Sequence, residues 1–373
     1  MHKTLLILSF ALFLLPSCGR NNASVNSRGT PVEFSYAENI AMESHDGFTT
    51  VRIRNPWDTT KLLHTYILLE EGGSAPADAA GADVIKVPLK SSVVYSCVHI
   101  GLADDLGALD AITGVCDKQY IYQENVRKRI ADGSIADCGN SMEPNVEKML
   151  MLRPGAVLLS PYESTNSYGK LDKAGIPVVE CADYMEKSPL ARAEWMKFFG
   201  RLYGKARVAD SLFNATEREY NRLKALVADT KHRPTVMTDR IYGQIWDVAG
   251  GRSTTGTFIE DAGGRNIFGD NNKAGSLQLS PEKVLMQARD ADVWLIRAND
   301  GELTLESLGA EREIYSHFKA FRQGNVYASY ASRCHIFEDQ AFHPQWILAD
   351  LIRVLHPENS AVRPGRAYYE QLK

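Results

Sequence analysis

The sequence lacks the short motifs of the common hydrolase and P-loop nucleoside triphosphatase families. It contains no HExxH, GxSxG or Walker A pattern, and its nine histidines never recur at metal-ligand spacing along one predicted helix. These absences argue against a zinc peptidase, an α/β-hydrolase and a P-loop nucleoside triphosphatase. A hydrolase built on dispersed Ser, His and Asp side chains stays open, because such a triad has no fixed sequence signature.

Cysteine is also sparse and dispersed. No CxxC or Cys/His cluster follows Cys18, so a structural zinc site is not expected. An exported protein can form disulfides, and the best-spaced pair is Cys116 with Cys138. The odd number of remaining cysteines leaves at least one free thiol if all bridges are internal. These cysteines are Cys97, Cys116, Cys138, Cys181 and Cys334.

The chain has neither a strong charge of one sign nor a second apolar run of membrane length. Its 42 Lys and Arg against 46 Asp and Glu give a net charge of -4, spread along the sequence. This distribution offers no basic surface for nucleic acid, which is therefore not an expected partner. At 44% hydrophobic residues, the chain beyond residue 30 is long enough for two domains with their own cores.

The first 18 residues have the order of a secretion signal. A basic start is followed by an apolar run through Leu15, which is too short to cross a bilayer as a helix. Leu15, Ser17 and Cys18 resemble the bacterial lipobox, which implies cleavage after residue 17 and lipid on Cys18. We predict a signal peptide at 1–17, a flexible tether at 18–30 and a membrane-anchored, extracytoplasmic location. An ordinary signal peptide with an incidental cysteine is the alternative.

Short apolar strands alternate with short helices along most of the chain. In the first half, strands are predicted at 93–95, Ile112–Val115, Ala156–Leu159 and 177–180, with helices at 103–109, after Asn145 and at 170–174. In the second half, strands are predicted at 235–238, 291–296 and 326–329, with helices at 281–288 and 346–355. This alternation is typical of parallel sheets with helices on both faces.

A longer amphipathic segment separates the two halves. Apolar residues recur every three or four positions at 189–230, which predicts one long helix or two nearly collinear pieces broken near Gly200 and Gly204. We predict an α/β fold of two lobes, with central, mostly parallel sheets joined by one long α-helix and a ligand cleft between the lobes. The lobes are assigned to 31–188 and 231–373.

Both halves contain a capping residue, a glutamate two positions later, a short helix and a buried strand. Asn145 and Glu147 begin this pattern in the first half, and Ser280 and Glu282 begin it in the second. Each glutamate favours the N-terminus of its own helix. Two equivalent carboxylates on one edge of two lobes also suit a two-point docking surface.

The order and spacing of these motifs resemble the substrate-binding proteins of ATP-driven importers for iron-siderophores, haem and vitamin B12. The resemblance runs from about Val93 to Glu358, while residues 31–90 match less clearly and are expected to add a hairpin. It is carried by the segment SSVVYSCVHIGLADDLGALDAITGV at 91–115, the two glutamate-containing helix starts, the long helix, AGGRNI at 262–267 and GNVY at 324–327.

This resemblance implies a binding protein rather than an enzyme. The implied ligand is an iron chelate or a corrinoid, with no cofactor and no direct metal ligand of the protein's own. The implied partner is an ABC permease with its ATPase subunits, and Glu147 and Glu282 would contact arginines of that permease. A lipid-anchored extracytoplasmic hydrolase is the alternative function.

The ligand is expected in the crevice outside the carboxyl ends of the parallel strands. Aromatic side chains there could cover a macrocycle, and arginines could pair with its carboxylate or phosphate groups. The candidate residues are His99, Tyr162, Tyr242, Trp246, Arg297 and Arg333, with Arg240 as a further arginine. Haem is less favoured, because no tyrosine or histidine is marked as an axial ligand.

Overall fold

The computed structural model describes residues 29–77, 79, 81–163, 168–298, 301–362 and 365–373. The predicted signal peptide at 1–17, Cys18 and nearly all of the predicted tether at 18–30 lie outside these residues, so lipidation stays a prediction. In the part of the chain that the structure describes, no helix is long and apolar enough to span a membrane.

The first sheet is more than the hairpin expected for residues 31–90. Its strands β1 to β4 pair as an antiparallel meander, and β5 lies parallel to β4. Alternate side chains point into the core, as Val51, Ile53, Tyr66 and Leu68 show. The strands are β1 Thr30–Val32, β2 Ile40–His45, β3 Phe48–Arg54, β4 Leu62–Glu70 and β5 Asp83–Val87.

The N-terminal lobe contains a parallel sheet in the order β12-β11-β6-β7-β8. Its strands are β6 Ser92–Val94, β7 Ile112–Val115, β8 Ala136–Asp137, β11 Ala156–Leu159 and β12 Val178–Glu180, and β9 Gly139–Asn140 pairs with β10 Glu143–Pro144. Its helices are α1 Cys97–Asp105, α2 Glu124–Ala131, α3 Val146–Leu152 and α4 Lys170–Lys173. The prediction of a helix at 103–109 is wrong. The Ser96 side chain accepts a hydrogen bond from the main-chain N–H of Val98, so α1 begins at Cys97, and it ends at Asp105, before Gly107.

Three helices occupy the segment predicted as one long helix at 189–230. They are α5 Pro189–Glu194, α6 Met196–Leu202 and α7 Ala206–Leu226. The chain turns at Gly204, where φ is +67°, and α6 packs against α7 instead of continuing it. A Cβ atom at Gly200 would lie 2.5 Å from Cβ of Ala209, so this packing requires glycine. The long helix is therefore α7 alone, with 21 residues.

The C-terminal lobe has a mainly parallel sheet in the order β16-β13-β18-β19-β20 and a smaller antiparallel sheet, β14-β15-β17. The strands are β13 Thr235–Thr238, β14 Ile241–Tyr242, β15 Ile245–Ala249, β16 Arg265–Asn266, β17 Ser276–Leu279, β18 Val293–Ala298, β19 Val326–Tyr330 and β20 Glu370–Gln371. The helices are α8 Thr254–Asp261, α9 Pro281–Ala288, α10 Leu305–Glu311, α11 Lys319–Arg322, α12 Ala331–Cys334, α13 Ile336–Phe342 and α14 Pro344–Leu355. The α/β prediction with parallel sheets in two lobes is confirmed.

A continuous apolar cluster joins the lobes. Ala341 and Phe342 of α13 belong to the buried cluster of the N-terminal lobe, and the Phe342 ring lies 5.8 Å from the Phe199 ring in α6. The helices α1 and α13 approach closely at Gly101, where an added Cβ would lie 3.5 Å from Cβ of Glu338. We call Phe199, Ala341 and Phe342 the interlobe core.

All five described cysteines are free thiols, so the predicted disulfide between Cys116 and Cys138 is wrong in this structure. Both residues are buried, and each sulfur atom lies near a main-chain oxygen. Cys116 Sγ lies 3.9 Å from the carbonyl oxygen of Cys138, and Cys138 Sγ lies 3.8 Å from that of Ala136. The sheet is therefore held at this point by packing and main-chain hydrogen bonds.

A candidate ligand cleft at the carboxyl ends of the strands

A cavity of about 580 Å³ opens at the carboxyl edge of the N-terminal parallel sheet. Tyr95 follows β6, Asp117 follows β7, and Tyr162 follows β11. Because parallel strands all end at one edge, these three side chains converge although they are distant in sequence. The volume lies within the range of about 300–1,000 Å³ that is usual for small-molecule sites.

Tyrosines form much of the cavity wall. Tyr168 donates a 2.6 Å hydrogen bond to Oε1 of the buried Glu180, and the Tyr95 hydroxyl lies 3.7 Å from Sδ of Met149. Burial raises the pKa of both phenols, so both are neutral at physiological pH. Tyr120 and Tyr162 are 53% and 69% exposed, which leaves their ring faces accessible to a bound molecule.

Of these four tyrosines, only Tyr162 is predicted from the sequence as a ligand residue. Tyr95 was placed inside a strand, although it directly follows the buried Val94 at the strand end. Tyr120 and Tyr168 lie in connecting segments with no periodic pattern. Only the position of Tyr95 after an apolar strand could have identified one of these three residues.

Two predicted ligand residues are buried and do not belong to the cavity wall, so their contact with a ligand stays a prediction. His99 is 2% exposed, and its Nε2 lies 2.8 Å from Oδ1 of Asp183, which also accepts from Arg192. Burial opposes ionisation of Asp183, but His99 and Arg192 hold its pKa below the usual value. Trp246 is fully buried, and its Nε1 donates to the carbonyl oxygen of Thr238 at 3.0 Å. Neither ring faces the cavity.

Two predicted arginines are engaged with the C-terminal lobe's own acceptors. Arg297, at the end of β18, donates to both carboxylate oxygens of Asp239 at 3.0 and 2.9 Å. Arg333 donates to the carbonyl oxygen of Gly301 at 2.8 Å, and its Nη1 lies 3.6 Å from Glu370. Both are partly exposed, but neither offers an unpaired guanidinium.

The remaining predicted ligand residue, Tyr242, is 88% exposed at the end of β14. It does not belong to the buried cluster that contains Trp246 of the same hairpin. Its side chain is therefore available to a ligand, and its role stays a prediction.

The docking candidates occupy equivalent places in the two lobes. Glu147 and Glu282 are the second residues of α3 and α9, and each helix leads into a central parallel strand of its sheet. A helix that returns the chain to the start of such a strand begins at the carboxyl edge, where the cavity opens. Lys170 lowers the pKa of Glu147 through an ion pair, and the main-chain N–H of Glu282 together with Ser280 lowers that of Glu282. Both carboxylates are exposed and ionised at neutral pH.

Cys97 lies on the cavity wall but cannot act as a strong nucleophile. Burial, followed by the nearby Glu338, raises the pKa of its thiol to about 12. Nucleophilic cysteines need a depressed pKa that supplies thiolate at neutral pH. No histidine contributes to this cavity wall among the described residues, so the serines there have no imidazole base beside them.

Comparison with known proteins matches residues 93–331 to the periplasmic binding protein family. An uncharacterized lipoprotein of Methanocaldococcus jannaschii is 30% identical over 285 residues, which are 74% of this chain and 67% of the relative. A cobalamin-binding protein of Halobacterium salinarum is 28% identical over 227 residues, 60% of this chain and 58% of that protein.

A solved structure shows the same fold. A periplasmic heme binding protein from Pseudomonas aeruginosa superposes with a TM-score of 0.60 at 16% identity, covering 76% of this chain and 98% of that one. The family match spans most of both parallel sheets and the helices between them. The chain therefore belongs to the periplasmic binding protein family.

Proposed function

We propose that the protein is the extracytoplasmic substrate-binding lipoprotein of an ABC importer. It captures a metal chelate, either an iron-siderophore or a corrinoid, and delivers it to a permease with its ATPase subunits. The observation that carries this proposal is the tyrosine-walled cavity at the carboxyl edge of the N-terminal sheet. The similarity to a cobalamin-binding protein of Halobacterium salinarum supports a corrinoid in particular.

The cavity suits capture better than chemistry. The exposed rings of Tyr120 and Tyr162 give flat, apolar faces at low entropic cost, as a large planar or macrocyclic ligand requires. Tyr242 is the residue of the second lobe that could contact the same ligand. The lipid predicted on Cys18 would keep the protein beside its permease and raise the effective concentration of the pair.

Calorimetric titration tests the capture. We expect purified protein lacking residues 1–18 to bind one equivalent of cyanocobalamin or of a ferric siderophore with a Kd of about 1 μM or below. Replacement of the exposed Trp57, which lies outside the cavity, serves as the control and should leave this affinity unchanged. Absence of binding to every corrinoid, ferric siderophore and haem would refute the proposal.

Reversing both docking charges, Glu147→Lys with Glu282→Lys, should reduce ligand-stimulated ATPase activity of the reconstituted permease at least tenfold. Both carboxylates are exposed and neither belongs to the cavity wall, so the change removes charge complementarity without altering that wall. Ligand affinity should stay within about twofold of the unmodified protein. The control is Glu71→Lys, an exposed position directly after β4. Loss of ligand affinity, or full ATPase stimulation, would contradict the docking role.

A further inference from the structure

We infer that the cargo is an uncharged or cationic chelate, and that the site discriminates against anionic ones. This inference rests on the proposed function and narrows its substrate class. It follows from the charges that the two lobes present at the carboxyl edges of their sheets. The wall of the N-terminal cavity is acidic, and the three arginines predicted as anion ligands in the C-terminal lobe each lie beside a carboxylate.

In the N-terminal lobe, Asp117 and Glu163 are the charged residues of the cavity wall, and no lysine or arginine lies on that wall among the described residues. Residues 164–167, which follow Glu163 in sequence, contain none either. The N-terminus of α1 also faces the cavity through Ser96 and contributes a partial charge of about +0.5. Two carboxylates outweigh it, so the cavity attracts cations.

Lysines on the neighbouring surface do not reverse this balance. Lys118 and Lys148 both lie near Asp137, and Lys118 pairs with it at 2.7 Å. Lys170 pairs with Glu147. None of the three contributes to the cavity wall.

In the C-terminal lobe, each of the three arginines predicted as anion ligands lies beside a carboxylate. Arg240 pairs with Glu311, and Arg333 lies near Glu370. The strongest pair is Arg297 with Asp239, in which two parallel N–H···O bonds use one whole edge of the guanidinium. Burial opposes the charge on Arg297, yet Asp239 keeps its pKa above the usual value. An anionic ligand would have to break the Arg297–Asp239 pair before it could form its own ion pair with that arginine.

The aromatic wall adds to the same preference. The face of a tyrosine ring carries negative charge density and attracts a cation, and it also packs well against an uncharged macrocycle. An anionic chelate would lose hydration while approaching these faces and two carboxylates. The exposed rings of Tyr120 and Tyr162 therefore favour cationic and uncharged cargo alike.

Titration with three probes of different charge tests the inference. The probes are ferrioxamine B, which is cationic, cyanocobalamin, which is uncharged, and ferric enterobactin, which is a trianion. We expect one of the first two to bind at least 100-fold more tightly than the trianion at low ionic strength. Equal or tighter binding of ferric enterobactin would overturn the inference and leave the proposed function standing. Failure of all three probes and of haem to bind would refute the proposed function and the inference with it.

A pair of variants identifies the groups responsible. Asp239→Asn frees Arg297, and asparagine tolerates the left-handed backbone at this position, where φ is +60°. We expect it to raise affinity for ferric enterobactin at least tenfold and to change cyanocobalamin affinity less than twofold. The control is Asp292→Asn, which frees Lys319 at the opposite end of β18 and should alter no probe's affinity. An unchanged affinity of folded Asp239→Asn for the trianion would overturn the role of the arginine pair.

Discussion

Glu194→Ala should lower the free energy of unfolding by about 3–5 kcal/mol, the usual cost of removing one member of a buried ion pair. The Glu194 carboxylate, fully buried on α5, pairs with Lys197 at 2.8 Å. It also accepts hydrogen bonds from the main-chain N–H groups of Ser35, Tyr36 and Ala37 at 2.8–2.9 Å. Its removal therefore leaves three N–H groups without this acceptor. It also takes away the carboxylate that pairs with Lys197, whose ammonium keeps the carbonyl oxygen of Glu33 at 2.7 Å.

Urea denaturation followed by circular dichroism measures this loss. The matched control is Glu33→Ala, because Glu33 lies in the same N-terminal segment but is exposed, and it should cost less than about 0.5 kcal/mol. A loss below about 1 kcal/mol for Glu194→Ala would show that water or another donor set replaces the carboxylate. In that case Glu194 would not be what fastens the segment before β2 to the helices between the lobes.

Trp246→Ala should also cost about 3–5 kcal/mol, as is usual for removing a large buried aromatic side chain. The indole lies among Trp294, Tyr315 and Phe318, with ring centroids 5.4–5.6 Å away. It also donates its N–H to Thr238. The substitution therefore leaves both a cavity and an unpaired carbonyl group in the smaller core of the C-terminal lobe.

Tyr242→Ala on the same hairpin is the matched control for Trp246→Ala. Tyr242 is 88% exposed, so its replacement should change stability by less than about 0.5 kcal/mol. Thermal unfolding of the two variants, measured beside ligand titration, separates packing from binding. A Trp246→Ala protein with unchanged stability and lost ligand affinity would show that the indole reaches the ligand after all.

The local elements with a physical signature were predictable from the sequence. Ala156–Leu159 is a continuous apolar run that forms a buried parallel strand, as expected. Asn145 and Ser280 accept hydrogen bonds from the main-chain N–H groups of Lys148 and Lys283, and so cap the two repeated helices. These features depend on neighbours within a few residues, which is the range that a sequence displays directly.

The sequence did not predict which face of the chain each aromatic side chain occupies. Trp246 and Tyr242 belong to two short paired strands, and their register places Trp246 opposite Ile241 with its ring in the core. His99 lies on α1, whose buried side meets Phe199. Residue type alone could not distinguish an aromatic side chain that packs in the core from one that could contact a ligand, because Tyr242 and Trp246 both come shortly after the end of β13.

The sequence of the first sheet contains more strand-forming segments than the hairpin predicted for residues 31–90. In β3, Phe48–Arg54, Val51 and Ile53 occupy alternate buried positions, and in β4, Leu62–Glu70, the consecutive residues Tyr66, Ile67 and Leu68 are all buried. The turn at Gly47 pairs β3 with β2, and the connection at residues 55–61 pairs β3 with β4. The parallel strand β5 completes the sheet only after a connection of more than ten residues, and no local signal indicates such a pairing.

The interlobe core has a consequence for the kinetics of capture. Rotating one lobe away from the other would expose Phe199 and Phe342, so opening carries a cost in apolar surface of roughly 25 cal/mol per Å². The cleft is then largely preformed, and little order has to be created when cargo arrives. Association should accordingly follow a single concentration-dependent phase in stopped flow, with differences in affinity between cargoes residing in their residence times.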